Sequence, residues 1–460
     1  MKTKITLIIA ALFLSVNVSF AQQDDECMTW LTIFSDAAKS KKYDEAYEPW
    51  KKLKNKCPKL SRAIYQYGER ILKHKIKNTS GAEQVHYVHD LMKVWDDAMQ
   101  YYPSKYSAGD VLQDKTQLKY DNRKELGLSD VQVYNEYDNL YKTHLESFTS
   151  PKGLYIYFSL AVDLFNSGQF PIQNVFNKYD DVSDKIENEI KNYTEKLNAL
   201  VKKEEAGQTL TSKQGKYKKS YNSYLENYDK ISGSIDTKLG ILANCENLIP
   251  LYTKDFEEFK NDAIWLKRAV SRMFNKECTD DPLYIKLVKA YDETAPSADT
   301  KYFVAGLLLK DGKLNEAIEY FKQSFELESD NYKKGKLANR IGSILKKKGK
   351  YGQARGYYRE ALKLNPSNGR PYLSIAGMYA ASANSCGDTN FNKRAVFWLA
   401  AKEAKKAGNV DANLKKAAAQ TAANYLAKAP QRSEIFNCDC QKTTIRIGCW
   451  IGASVTVPGL

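Results

Sequence analysis

Histidines, cysteines and clustered carboxylates are where this chain could do chemistry, and their spacing narrows what chemistry that is. The four histidines are His74, His86, His89 and His144. None lies in an H-E-x-x-H, catalytic-cysteine or serine-elbow context. His86 and His89 share a helical face at i and i+3 beside Asp90, a spacing two metal ligands could use, but a solvated or capping pair satisfies the same pattern. No G-x-x-x-x-G-K-[ST] or G-x-G-x-x-G loop offers backbone amides to a phosphate. The carboxylates fall on charged, helix-prone stretches, where a run of charge reads as a wet face. The residues therefore point to a non-enzymatic chain with no catalytic group, no metal and no cofactor.

The eight cysteines carry a different message. Cys27, Cys57, Cys245, Cys278, Cys386, Cys438, Cys440 and Cys449 form an even set, and the chain opens with MKTKITLIIAALFLSVNVSFAQQ. Two lysines, an apolar run from Ile5 to Val16 and small residues at Ser19 and Ala21 predict a secretory signal peptide cleaved after Ala21. The apolar run is short for a membrane span, and polar QQDDE follows at once. DDE before Cys27 is not the small-apolar box of a lipidated cysteine. Export permits disulfides. Cys27 with Cys57 brackets a first helical hairpin and Cys245 with Cys278 brackets another segment, so both pairs are expected to close. Cys438, Cys440 and Cys449 could supply three thiolates to zinc, but no fourth ligand accompanies them and a disulfide is the expectation there.

The elements that hold these residues are helices of a particular kind. In KLANRIGSILKKKGKYGQARGYYREALKLNP, residues 336–366, Gly342 and Ala354 are small where two helices of a hairpin would cross closely. Tyr358 and Leu345 fill the space beside them, Gly349 suits a turn that needs positive φ, and Pro366 ends the second helix. Such a hairpin leaves one face bare, so the pattern should recur at a period near ~34 residues. It recurs upstream as Ala305, Gly312, Leu314, Ala317, Phe321 and Phe325, with Ser329 where the proline stood. Downstream, Tyr372, Ile375, Ala376 and Tyr379 make a first helix, and a longer connection, SANSCGDTNFNK, precedes Ala395 and Leu399. Near the start, Tyr43, Ala46, Trp50 and Pro58 carry the second-helix spacing, as do Leu91, Trp95, Ala98 and Pro103.

On these residues the chain resembles the tetratricopeptide-repeat superfamily, in a form suited to an exported gram-negative envelope protein. The resemblance implies an all-α fold: an α-solenoid of TPR-like helical hairpins that binds other proteins. Its inner-face positions fall on first-helix residues, Tyr302 and Lys310 in one copy, Asn339, Ser343 and Lys346 in the next, and Arg370 in the third. These depart from the family's carboxylate-clamp set. Lysine and arginine there would meet partner carboxylates, and Asn339 a partner's backbone.

Two regions break the rhythm. Residues 178–204 and 214–235 are charged helical stretches separated by EAGQTLTSK, and they predict a protruding antiparallel helical hairpin. Ile186, Ile190, Tyr193, Leu197 and Leu200 or Val201 give it one narrow apolar stripe. Residues 104–130 read as polar and turn-rich. From Ser433 the alternation of Thr443, Ile445, Ile447 and Cys449, with Gly448 and Gly452, predicts a short β-hairpin that caps the array. The expected organisation is a signal at 1–21, an N-terminal TPR-like region at 22–175, the charged hairpin at 176–240, the TPR array at 241–432 and a β-rich tail at 433–460.

Net charge is +15 over 460 residues, and two of those charges, Lys2 and Lys4, leave with the signal. Export argues against nucleic acid as the acidic partner, and no nucleic-acid-binding motif accompanies the basic surface. The expected partners are envelope proteins, held as a peptide or helix in the groove. The expected role is assembly of a periplasmic or outer-membrane complex, with secretion among the processes it would serve. The alternative is an anionic envelope glycan or lipopolysaccharide held on basic, tyrosine-rich faces. Beyond the signal no stretch is long and apolar enough to cross a membrane, and the expected location is the periplasm or the periplasmic face of the outer membrane.

Overall fold

The structure is a computed structural model, and residues 25–240 and 242–459 are described. The expected signal peptide lies outside them. The chain divides into two compact units, 1–178 and 179–460.

The first unit is helical throughout. It comprises α1 (25–39), α2 (Tyr43–Lys56), α3 (Ala63–Asn78), α4 (Gly81–Tyr101), α5 (Ala108–Asp121), α6 (Asp130–Thr143), α7 (Pro151–Asn166) and the start of α8 (Ile172–Glu205). The second-helix spacings are real packing positions: Ala46, Trp50, Leu91, Trp95 and Ala98 are all buried. Trp50 donates its indole N–H to the Ile64 carbonyl at 2.7 Å. Its ring lies so close to Gly68 that a Cβ there would fall 2.5 Å from Trp50 Nε1. The Cys27–Cys57 disulfide joins α1 to the end of α2, as its bracketing predicts. Residues 104–130 are not mainly turn: Ser107 caps α5 by accepting from Asp110 N at 3.1 Å, and Val111, Thr116 and Leu118 are buried. So few apolar residues gave no periodic signal, although one cap and three buried side chains suffice when neighbouring helices supply the rest.

In the second unit α8 continues, followed by α9 (Ser212–Gly240), α10 (Cys245–Phe259), α11 (Ala263–Asn275), α12 (Pro282–Thr294), α13 (Ala298–Lys310), α14 (Leu314–Leu327), α15 (Asn331–Lys347), α16 (Tyr351–Leu364), α17 (Arg370–Ala381), the one-turn α18 (Ala383–Cys386), α19 (Asn390–Val410), α20 (Lys415–Lys428) and α21 (Arg432–Cys438). The hairpins α13/α14 and α15/α16 follow the sequence pattern closely. Ser297 and Asp330 cap the first helices, accepting from Thr300 N at 3.3 Å and Lys333 N at 3.0 Å. Gly312 and Gly349 turn the chain at φ +76° and +71°, a region in which a Cβ is strained. Ala305, Ala317 and Ala354 are fully buried. A Cβ on Gly342 would stand 3.0 Å from the Tyr358 ring, so the smallest residue is needed where α15 meets α16. Phe321 and Tyr358, buried at matching places in the two copies, belong to one continuous core with Ile341, Leu345, Ile375, Tyr379, Ala395 and Leu399.

The third hairpin is α17 with α19, its long connection folded as α18. The tail is the expected β-hairpin: β1 (Thr444–Ile447) pairs antiparallel with β2 (Ala453–Thr456), Ile445 opposite Val455. Ile447, Ile451, Val455 and Val457 join the core of the repeats. Trp450 donates to Ser382 Oγ at 3.0 Å, and Cys449 is bonded to Cys386 of α18. Cys245 bonds Cys278 and Cys438 bonds Cys440, so the three tail cysteines reside in disulfides.

The charged stretches form an antiparallel pair, α8 with α9. Tyr179 donates to Asp236 at 2.7 Å, Lys218 pairs with Glu204 at 2.6 Å, and Tyr193 stacks on Tyr224 at 4.6 Å between ring centres. Its tip, residues 202–209, is exposed. The rest of α8 does not stand free, because its polar flank is bound to the repeats.

Candidate functional site

Each repeat offers its first helix to one common face, and α8 lies on that face. Asp180 of α8 pairs with Arg272 of α11 at 2.6 Å and approaches Arg268 at 3.5 Å. One helical turn or more further on, Glu187 pairs with Lys336 of α15 at 2.6 Å, and Lys191 pairs with Asp330, the residue that caps α15. Asn198 then accepts from Ser367 N at 3.1 Å, just before α17. The contacts visit α11, α15 and the connection that leads into α17 in order, so α8 runs across the array as a bound helix would.

Between α8 and these helices a cleft of about 670 Å³ remains. Its wall on α8 is acidic, with Asp180, Asp184 and Glu187; its opposite wall is mainly basic, with Lys267, Arg268, Arg272, Lys333, Lys336 and Arg340 outnumbering Asp299 and Glu328. Tyr302 of α13 lies in its floor among Phe274, Phe303 and Phe321, with the Arg340 guanidinium 5.9 Å from its ring centre. Burial pushes the Tyr302 phenol above its ordinary value, against the pull of Arg340. The carboxylates diverge. Burial raises Asp180 in spite of Arg272, whereas at Glu187 burial is outweighed by Lys336, Lys333 and Arg340, which hold it below the usual range. Asp184 is also raised by burial.

Raised carboxylates in a cleft would suit acid–base chemistry if a reacting pair were assembled. Asp180 is engaged by Arg272, and none of the four histidines lines the cleft. Among the described residues no group of three or more His, Cys, Asp or Glu gathers as for a metal ion. His86 is exposed and 3.3 Å from Asp90, and His89 is exposed. What the cleft can do is hold a ligand by charge and by an aromatic floor.

Of the six positions singled out in the sequence, Tyr302 alone lines this cleft. Asn339, Ser343 and Lys346 are half-buried on α15. Ser343 donates to the Asn339 carbonyl at 3.0 Å and sits 3.1 Å from the Tyr358 hydroxyl, so its oxygen is occupied within the hairpin. Lys310 turns to the α11–α12 connection, donating to the Thr279 carbonyl at 2.7 Å and pairing with Asp280. Arg370 is exposed at the start of α17; burial raises the carboxyl of Asp229 on α9, and the Arg370 charge only partly opposes it. The charged walls were missed. Their signal is a complementary spacing: acids at 180, 184 and 187 on one helix, bases at 333, 336 and 340 on another.

Family models of the tetratricopeptide repeat match residues 298–331 and 335–368, the α13/α14 and α15/α16 hairpins. No curated protein sequence matches significantly. Among solved structures, a tetratricopeptide repeat protein from Parabacteroides merdae is similar at 12% identity, covering 68% of this chain and 97% of that one, with a TM-score of 0.24. Yeast Tom70 is similar at 14% identity, 90% and 83% coverage and a TM-score of 0.26. A human IFIT1 dimer with PPP-AAAA follows at 12% identity, 84% and 86% coverage and a TM-score of 0.28. The two matched hairpins, with their packed small-residue crossings, are therefore similar to tetratricopeptide repeats, and the matches extend over residues 298–331 and 335–368 of the chain.

Proposed function

We propose that this protein is an exported, non-enzymatic scaffold of the bacterial envelope, which binds another protein on the first-helix face of its repeats and supports assembly of a periplasmic or outer-membrane complex. The single observation that carries the reading is α8 itself. The face is built to hold a helix by charge pairs, and α8 uses only part of it, leaving the cleft floored by Tyr302 beside Arg340 and Lys333. A partner that offers carboxylates around an aromatic or apolar side chain fits that space. The four disulfides among the described residues are in keeping with export, as are the lysines and apolar run at the start of the sequence.

A partner crosslinked in intact cells and identified by mass spectrometry provides the test. The same capture is repeated with Arg340→Glu and with Asn339→Ala combined with Lys346→Glu. Loss of the partner with Arg340→Glu alone places it in the cleft. Retention of every partner by both variants removes the first-helix face from the function.

A second reading, an anionic glycan or lipopolysaccharide partner, has one observation in its favour. Tyr217, Tyr221 and Tyr224 line α9, with Tyr217 and Tyr224 more than two-fifths exposed and Lys213 5.7 Å from the Tyr217 ring centre. Binding of that kind falls steeply as salt rises, whereas a peptide seated in the cleft keeps much of its affinity.

A further inference from the structure

Three of the four disulfides share a design that the fourth lacks. The Cys27–Cys57, Cys245–Cys278 and Cys386–Cys449 bonds span 30, 33 and 63 residues, and each has one sulfur side chain in the core, at Cys27, Cys278 and Cys386. Bonds of that span restrict the unfolded chain strongly and stabilise the fold. Cys438–Cys440 spans 2 residues, so it closes almost no loop and contributes little by that route. It also lies in the open. Cys438 is exposed at the end of α21, whereas Cys440 packs partly against the core cluster. The residue between them, Asp439, is held at φ +49°, a left-handed conformation uncommon for a side chain with a Cβ. Phe436, two residues before Cys438, is 71% exposed, a large aromatic face at the lip of the bond.

A bond that adds little stability, is open to attack on one sulfur and is spanned by a left-handed residue has the character of an exchanging disulfide rather than a structural one. We infer that Cys438–Cys440 is a thiol–disulfide exchange site that oxidises a dithiol on a partner protein. A partner thiolate attacks Cys438 Sγ in line with the Cys438–Cys440 bond. That bond breaks, a mixed disulfide forms between the partner sulfur and Cys438, and Cys440 leaves with the electron pair as a thiolate that takes up a proton. The partner's second thiolate then attacks its own mixed-disulfide sulfur and releases Cys438. The partner dithiol is oxidised by two electrons, the Cys438–Cys440 pair is reduced by two, and two protons pass to the cysteines. Phe436 gives the incoming protein an apolar contact beside the reacting sulfur. The site is independent of the first-helix face, so failure of one leaves the other standing.

The full-length oxidised chain is titrated with a reduced two-cysteine peptide and, separately, with reduced glutathione; free thiols are then alkylated and located by mass spectrometry. The expected result is alkylation at Cys438 and Cys440 at reductant levels that leave the other six cysteines closed, one peptide disulfide formed per chain, and a glutathione adduct on Cys438. Opening of any other bridge at the same or lower reductant overturns the inference, as does an adduct carried by Cys440. The double variant Cys438→Ser with Cys440→Ser is expected to keep the wild-type Tm and to lose peptide oxidation; a fall in Tm matching that of a Cys27→Ser variant makes the bond structural and overturns the inference as well. Phe436→Ala is expected to slow oxidation of a protein dithiol several-fold without changing the rate with a small dithiol, and equal rates with both remove Phe436 from the site.

Discussion

The α15/α16 hairpin and the α8 helix are both held against the same array, by opposite means. The hairpin is held by shape: Gly342 exists to admit Tyr358, and Ala354 is buried among apolar neighbours. Its other face matches that shape to the next copy. On its array-facing flank α8 is held by charge, through Asp180, Glu187 and Lys191 paired to Arg272, Lys336 and Asp330, while its apolar stripe of Val182, Ile186, Leu197 and Val201 is buried. Apolar contact is non-directional and strong per residue, whereas a pair of charges loses much of its attraction to desolvation or to screening. The hairpin therefore sets the fold, and the charge pairs seat the α8 flank on it.

The largest expected effect tests the shape-held region. Tyr358 is fully buried, and Tyr358→Ala empties the space beside Gly342. The expected loss is about 3–5 kcal/mol, read from chemical denaturation followed by circular dichroism. A loss under about 1 kcal/mol means that α15 and α16 do not depend on that crossing, and the contrast with α8 fails.

That contrast also explains which parts of the molecule were legible in the sequence. Gly342, Ala354, Tyr358 and Pro366 lie within one 34-residue period, so local spacing announced the hairpin, its turn at Gly349 and its neighbours. The β-hairpin showed itself by alternation over Thr443, Ile445 and Ile447. The α8/α9 pair was legible as a hairpin because its apolar stripe is local. Its seat was not: Glu187 finds Lys336 and Asn198 finds Ser367 across well over a hundred residues, and charge spacing on one helix does not say which distant helix answers it. For the same reason the sequence singled out Tyr302, which lines the cleft, but not Arg268, Lys333 and Arg340 around it. The contacts of Lys310 were equally hidden, because only the fold brings Thr279 and Asp280 beside it.

The next effect in size tests the charge-held region at a well-buried pair between α8 and α11. Arg272 and Asp180 have side chains 5% and 12% exposed. Arg272→Met leaves Asp180 in a poorly solvated place without its partner, at an expected cost of about 3 kcal/mol near pH 7. Asp180 is already raised above its ordinary value of 3.8 by burial, and removal of Arg272 raises it further. A carboxyl whose folded pKa is raised gains folded-state stability as the pH falls through that value, because the neutral form no longer suffers burial. The deficit of Arg272→Met should therefore shrink on acidification, and adding Asp180→Asn should recover part of it at neutral pH. A deficit that does not change with pH shows that Arg272 acts by packing, and the α8 flank is then held by shape as well.

The smallest effect is expected at Lys336, where the pair with Glu187 is more exposed, with side chains 41% and 42% accessible. Solvent screening limits the loss on Lys336→Met to about 1 kcal/mol or less. Its pH dependence has the opposite sign to that at Asp180. Burial alone would raise Glu187, but Lys336, Lys333 and Arg340 together hold it below its ordinary 4.5, so the ionised form is favoured in the folded protein. The stabilisation is fully present above the ordinary glutamate range and is lost as the pH falls through the depressed folded value. Urea midpoints of wild type and Lys336→Met should accordingly differ near pH 7 and converge once the pH has fallen through the depressed Glu187 value, while added salt at neutral pH narrows the same gap. Convergence at acid pH for Lys336→Met, together with a shrinking deficit for Arg272→Met, assigns the α8 flank to charge. A gap for Lys336→Met that persists at acid pH assigns Lys336 to packing of its aliphatic stem, and the cleft would then select partners by shape before charge.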